Sequence, residues 1–346
     1  MVDAVDLDWP KLGPGSARGV IRDTPDDFFV CERLGFQLSG SGEHLYVHVR
    51  KRDITTRDVK AELADLYGVP PLDVSYAGMK DKRAVAEQWF SVRCPQIDRV
   101  DVTSPKFAIL TSNWHRTKLR RGELQGNRFS ITVRSLQGAI TVDALRRRVP
   151  NYFGPQRFGR DGSNIASAKA WVCAARPRVS GFKRGLHIST LRSFLFNEVL
   201  AERVVDGTWN TFLPDDVPDG PHEMRGDSPD ETPGELSVLP GKAPAPADDQ
   251  MNRCVGPTGP LWGRGRPADV DVERRVLEPL RALTEALEFV GVRQQRRGLG
   301  LRATECSVDS GDSSATLGFF LPKGCYATSI LRELGDFQEP AVRGTS

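Results

Sequence analysis

The chain has 346 residues, 39% hydrophobic and 27% charged, which suits one large domain or two ordinary ones and allows a sizeable core. No apolar run reaches membrane-span length, and the first residues show neither a basic region nor an apolar stretch. The six cysteines (Cys31, Cys94, Cys173, Cys254, Cys306 and Cys325) are far apart and lack zinc-ligand spacing, so a cytoplasmic protein without membrane spans, disulfides or metal is expected.

The net charge of +3 conceals an uneven distribution. Residues 206–250 hold eleven acids against Arg225 and Lys242, a local net of −9 that leaves +12 for the remainder. A basic body with one acidic, proline-rich excursion suits a polyanionic partner, although charge alone also describes an ordinary solvated surface.

Residues 1–20 form an irregular arm in this reading. Pro25-Asp-Asp-Phe28-Phe-Val-Cys-Glu32 then enters a strand, with Phe28 a core candidate and Glu32 a candidate buried partner for nearby cations. His44-Leu-Tyr-Val-His48-Val-Arg50 alternates. Leu45, Val47 and Val49 take one face, and His44, Tyr46, His48 and Arg50 make a polar one. Histidines four apart share a face on a helix; on a strand they belong to that polar face, and a metal pair is rejected. A helix follows from Thr55 or Thr56, with Val59, Leu63 and Leu66 inward, and it ends near Gly68 and Pro70.

Leu72, Val74 and Tyr76 alternate as a strand, and Trp89, Phe90 and Val92 open another. Between them lies Gly78-Met-Lys80-Asp81-Lys82-Arg83, one acid among three cations on a connection that a sheet can present. The flanking charges favour an ionised Asp81, suited to nucleophilic or general-base work. The same residues elsewhere often make nothing more than a solvated ion-pair loop.

His115-Arg-Thr-Lys-Leu-Arg-Arg121 adds four fixed cations before the strand Gly126-Asn127-Arg-Phe129-Ser-Ile-Thr-Val-Arg134, whose apolar face is Phe129, Ile131 and Val133. Val149-Pro-Asn-Tyr-Phe-Gly-Pro-Gln-Arg-Phe-Gly159 combines glycines with polar donors. Helices are expected at about 163–175 and 188–205. Eight prolines forbid a continuous helix over 206–250. Residues 272–290 carry Val276, Leu280, Leu283 and Leu287 at helical spacing, and Arg293, Arg296, Arg297 and Arg302 follow. Sheet returns at Ala315–Leu321, before Gly324-Cys-Tyr326-Ala-Thr-Ser-Ile-Leu-Arg-Glu-Leu334.

Several of these runs together resemble the TruD family of tRNA pseudouridine synthases. They are the Pro25–Glu32 entry strand, Gly78–Gln88, Gly126–Arg134, Val149–Gly159, Gly256–Gly263 and Ala327–Leu334, in the family's order across nearly the whole chain. The resemblance implies an α+β fold. A pseudouridine-synthase-type catalytic domain with a mixed, largely antiparallel sheet occupies 1–150 and 301–346, and a mainly helical TRUD domain is inserted at 151–300.

By the same resemblance Asp81 is catalytic, and its neighbour Lys80 is read as the electrostatic partner that keeps it ionised and oriented. Phe28, Asn127, Phe129 and Tyr326 then contact substrate, Tyr326 standing where the family usually has Phe. The implied activity is isomerisation of a uridine, at position 13, in tRNA; it needs no redox cofactor, and a monomer is the default. Two rivals are weaker. A non-catalytic tRNA-binding or chaperone-like protein does not require the Lys80-Asp81 pair, and a methyl-transferring enzyme requires a glycine-rich cofactor turn that is not found.

Overall fold

The structure, a computed structural model, describes residues 7–94, 103–173, 179–218, 256–265 and 270–340. Along the chain come β1 (Ala17–Ile21), β2 (Phe28–Arg33), β3 (His44–Arg52), α1 (Thr56–Tyr67), β4 (Val74–Tyr76), β5 (Val85–Arg93), β6 (Phe107–His115), β7 (Gly126–Gln137) and α2 (Val142–Arg146). The short β8 (Val149–Pro150), α3 (Ser163–Cys173), α4 (Gly181–Val205), β9 (Thr258–Leu261), β10 (Gln295–Gly298) and β11 (Gly300–Leu301) follow. β12 (Thr304–Ser310), β13 (Ser314–Pro322), a helix at Ala327–Leu334 and β14 (Gly335–Gln338) complete it.

These elements fall into two units. One comprises 15–147, 303–327 and 334–346 and holds the large sheet; the other comprises 1–14, 148–302 and 328–333. The sequence reading divides the chain at 150/151 and 300/301 and leaves 1–14 and 328–333 with the catalytic domain. Contacts instead group those two segments with the helical unit.

In the sheet unit the strand order is β12-β13-β7-β2-β5-β3-β6, with β1 joining β7 to β14 and β4 pairing β5. The β2–β5 and β1–β14 pairs are parallel and the other ladders of this sheet antiparallel, the mixed and largely antiparallel arrangement expected. β7 is the spine. β13 pairs with it from Arg134 to Gly126, while β2 and then β1 share its other edge. One face of the sheet buries Leu45, Val47, Val49, Phe90 and Val92 against Val59, Leu63, Ala64 and Tyr67 of α1. The N-terminus of α1 has a capping box, in which Thr55 Oγ1 accepts from the Asp58 amide at 3.1 Å and the Asp58 carboxylate accepts from Thr55 N at 3.3 Å.

The opposite face is less polar than the alternation of β3 implies. Tyr46 is fully buried and packs with Ala77, Leu119 and Leu124, because the segment between β6 and β7 covers it. Leu72 is likewise outside the expected strand, on a 3₁₀ turn at Pro71–Asp73 and 81% exposed.

β1 and β14 approach so closely at Ala17 and Gly335 that no side chain fits at 335. A Cβ on Gly335 would lie 2.1 Å from the Ala17 carbonyl oxygen, which is backbone and cannot rotate away. Gly335→Ala is therefore expected to cost about 1–3 kcal/mol or more, seen as a lowered midpoint in thermal unfolding.

The second unit is built around α4. Ile188, Leu191, Phe194, Leu195, Phe196, Val199 and Leu200 are all buried, so the helix is enclosed on more than one side and shows little amphipathic pattern. It starts at Gly181, seven residues before the expected 188, with Ser180 Oγ accepting from Lys183 N. Residues 271–290 form two helices, not one. Pro279 lacks an amide proton, and a 3₁₀ turn at Glu278–Leu280 separates Asp271–Leu277 from Arg281–Val290.

Much of the acidic run over 206–250 lies outside the described residues, but three of its acids have structural partners. Asp216 forms a buried ion pair with Arg203 at 2.6 Å, Asp215 accepts from the Asp271 amide at 2.7 Å, and Asp206 pairs with Arg275 at 3.2 Å. No helix among the described residues is long and apolar enough to cross a membrane.

Candidate active site

The path of the Asp81 loop follows from strand pairing. β4 covers β5 at Phe90–Val92, while β2 takes the same edge of β5 at Val85–Glu87. Leaving β4 at Tyr76, the chain finds that edge occupied and must cross the sheet face to begin β5 at Val85. Side chains from below hold it there. Gln88 Nε2 donates to Gly78 O at 2.6 Å, Thr56 Oγ1 donates to Gln88 Oε1 at 3.0 Å, and the Lys80 amide donates to Thr56 Oγ1 at 3.0 Å.

Lys80 and Asp81 leave this loop in different directions. The Lys80 ammonium reaches Glu32 Oε1 at 2.6 Å, with the Glu32 side chain fully buried and that of Lys80 9% exposed. The second Glu32 oxygen accepts from Trp89 N at 2.9 Å. Lys80 thus anchors the loop to β2, in place of the direct partnership with Asp81 expected from their adjacency. Glu32 has the buried, cation-paired role anticipated for it.

Asp81 pairs with Arg22, a residue the sequence reading passed over. Arg22 Nη2 lies 2.7 Å from Asp81 Oδ2; the arginine side chain is buried, whereas that of Asp81 is 42% exposed. The guanidinium sits 4.0 Å from the centre of the Phe28 ring, a cation–π contact. Arg22 follows β1 with φ of 57°, in the left-handed region. For a non-glycine residue that conformation costs on the order of 1 kcal/mol or more, and surrounding contacts must hold it. One carboxylate oxygen is therefore fixed by a rigid cation, and the group as a whole still opens to solvent.

Lys51 supports the loop from beneath. Its ammonium donates to the carbonyl oxygens of Asp81 (2.7 Å) and Ile54 (2.8 Å), and the residue is fully buried. Burial lowers its pKa from 10.5 to about 8; the charge of Asp81 opposes the shift and that of Lys80 adds to it. The sign follows directly. Below pH 8 Lys51 is protonated in folded and unfolded chains alike, and the burial penalty is complete. Between about 8 and 10.5 the unfolded chain binds more protons, so stability rises with pH. Denaturant titrations from pH 8 to 10 are expected to show this rise in wild type and a smaller one in Lys51→Met.

Aromatic rings adjoin the guanidinium that holds the carboxylate. Phe28 meets Phe129 edge-on at 6.1 Å, and Phe129 stacks on Phe319 at 5.4 Å. Asn127 stands opposite Glu32 in the β2–β7 ladder, and its Oδ1 is buried without a hydrogen-bond partner. Gly126 before it is dictated by packing, since a Cβ there would lie 2.2 Å from Leu321 O. Tyr326 is half-buried on the turn after β13, at the end of the β7–β13 ladder that holds Asn127. Arg22, Asp81, Phe28, Phe129, Glu32, Asn127 and Lys80 thus form one connected group, with Tyr326 beyond the end of the ladder.

One trio with metal-ligand chemistry occurs among the described residues. Ligand atoms of Cys31, His48 and Glu87 lie within 4.8 Å of one another, on strand positions facing away from Asp81. Glu87 Oε1 already accepts from Arg50 at 2.5 and 2.9 Å, and burial pushes the Cys31 thiol up to about 12. Both features oppose a cation there.

Similarity to known proteins agrees with this arrangement. The family model for tRNA pseudouridine synthase D (TruD) matches residues 13–168 and 175–334. A tRNA pseudouridine synthase D from Methylococcus capsulatus is 39% identical, over 95% of this chain and 95% of its own. One from Cellvibrio japonicus is 38% identical, over 97% and 95%. A crystal structure described as a TruD from Methanosarcina mazei matches with a TM-score of 0.61, covering 96% of each chain; at 21% identity it is a likeness of fold. With the family model matched over most of its length and close relatives matched end to end, the chain belongs to the TruD family.

Proposed function

We propose that the protein isomerises a uridine in tRNA to pseudouridine, at position 13, with Asp81 as the group that acts on the flipped nucleotide. The observation that carries this reading is the Arg22–Asp81 pair, a solvent-open carboxylate oriented by a buried cation that itself lies over the Phe28 ring. The names of the relatives support the substrate and the reaction.

The reaction breaks the N1–C1′ glycosidic bond, turns the uracil and joins C5 to C1′. The C5 proton is lost and N1 gains one, so nothing is oxidised or reduced. Flipping the uridine out of folded RNA costs on the order of a few kcal/mol, which aromatic contacts in the pocket offset. Phe129 and Phe28 supply rings for this, Tyr326 another from the neighbouring turn. Asn127 offers its unpartnered Oδ1 to an N–H of the base. Asp81 either attacks C1′ or C6 or removes the ribose 2′ proton to give a glycal. Lys80 acts through Glu32 by fixing the loop, and Arg22 holds the reactive carboxylate.

The test is single-turnover pseudouridine formation on unmodified tRNA, mapped by position, without added cofactor. Product at position 13 is the expected result. Tight tRNA binding without product at any uridine overturns the reading and favours a non-catalytic tRNA-binding protein.

A further inference from the structure

Three cations on the elements that lead to the Asp81 loop form no ion pair among the described residues. Lys60 lies on α1, half-buried; Lys118 and Arg121 lie exposed on the segment between β6 and β7. Lys118 and Arg121 contact uncharged groups. Lys118 Nζ donates to Leu72 O at 3.0 Å, and Arg121 Nη2 donates to the Tyr76 hydroxyl at 2.9 Å, with its guanidinium 4.1 Å above the Tyr76 ring. Burial, and then the charges of Lys118 and Arg121, lower the pKa of Lys60, and no acid offsets the effect. Other arginines of the same sheet unit are neutralised: Arg33 and Arg128 by Glu305, Arg50 by Glu87, Arg52 by Asp26 and Arg134 by Asp27.

Lys118 and Arg121 are held along the strand that leads to Asp81, and Lys60 lies on α1, whose Val59 and Leu63 share one apolar cluster with Val74 and Tyr76 of that strand. Ser75 Oγ donates to Leu119 O at 2.8 Å, and Gly122 N donates to Ala77 O at 2.7 Å, so the cationic segment runs along β4 and the start of the loop. Tyr76, which carries Arg121, is the last residue of β4. Like charges on one surface that are not ion-paired among the described residues repel one another, and a bound anion relieves that repulsion. A phosphodiester fits: it offers oxygens to ammonium and guanidinium groups at once and has no donor to be left unsatisfied.

We infer that Lys60, Lys118 and Arg121 form a phosphate-binding site that holds the RNA backbone alongside the Asp81 loop. The inference rests on the proposed action on tRNA and adds the surface that positions the substrate strand. Backbone contacts of this kind set register and affinity and carry no sequence information.

The experiment is equilibrium binding of unmodified tRNA between about 50 and 200 mM salt, for wild type, Lys118→Ala, Lys60→Ala/Lys118→Ala and Arg121→Ala. Each lost phosphate contact is expected to lower the slope of log affinity against log salt by about one, so the double variant loses about two. The loss should be equal for tRNA and for an unrelated RNA of similar length, and Lys118→Arg should restore it. Arg281→Ala, which removes an exposed cation already paired with Glu285, serves as the control for a general charge effect. Wild-type affinity and slope in the double variant overturn the site, even if the wild type makes pseudouridine. A drop no larger than that of the control also overturns it. Wild type that neither binds tRNA nor forms product overturns the site together with the function on which it rests.

Discussion

Asp81→Asn is expected to fold and to bind tRNA while losing turnover. The substitution keeps an oxygen that can accept from Arg22, and the side chain it replaces is 42% exposed, so the structural cost is small. What disappears is the negative charge and its capacity to attack carbon or take a proton. The size of the loss separates the chemical routes. A residue that only moves a proton is worth about 10²–10⁴-fold, whereas loss of a covalent nucleophile can approach about 10⁶-fold. Single-turnover rates under saturating enzyme measure this without interference from product release. Normal product formation by a rigorously purified Asp81→Asn protein would remove Asp81 from the mechanism.

Lys80→Met is expected to act on stability first. It leaves the Glu32 carboxylate fully buried with the Trp89 amide as its remaining described partner, and breaking a buried pair by removing one member costs about 3–5 kcal/mol. Adding Glu32→Gln to that variant removes the stranded charge and should recover part of the loss, giving a coupling energy in a double-mutant cycle. Urea unfolding of the four proteins supplies the measurement. If Lys80 served chiefly as the electrostatic partner of Asp81, Lys80→Met would reduce turnover with stability unchanged, and the cycle with Glu32 would show no coupling.

The residues of the site differ in how far local sequence exposed them. Local pattern placed Asp81 on a loop between two strands and Asn127 and Phe129 at the head of an alternating strand, while the roles proposed for them came from the resemblance to the TruD family. Arg22 was not legible. Its partner is 59 residues away, and nothing around it distinguishes a buried arginine from a surface one. Lys51 did leave a signal, since it falls in phase with Leu45, Val47 and Val49 on the buried face of β3, where a lysine needs a reason. The adjacency of Lys80 and Asp81 misdirected the reading, because neighbours on a loop need not share a direction.

Elsewhere the fold departed from the pattern where long-range packing or one residue outweighed local periodicity. Tyr46 alternates with apolar neighbours as a surface residue would, yet Leu119 and Leu124, on the segment between β6 and β7, cover it. The helical run over 272–290 counted its apolar spacing correctly and overlooked Pro279, which ends one helix and starts another. Glycines at 181 and 185 hid the first turns of α4, whose stability comes from burial more than from propensity.

The position of β7 has a consequence for how the protein is made. Its partners β2 and β1 precede it in the chain, but β13 is encoded beyond the entire segment 148–302, and β14, which pairs with β1, comes later still. During synthesis one edge of the central strand therefore stays unpaired until residue 322 has left the ribosome, an open template for association with other chains. The large sheet is closed only after β13 and β14 have both been made.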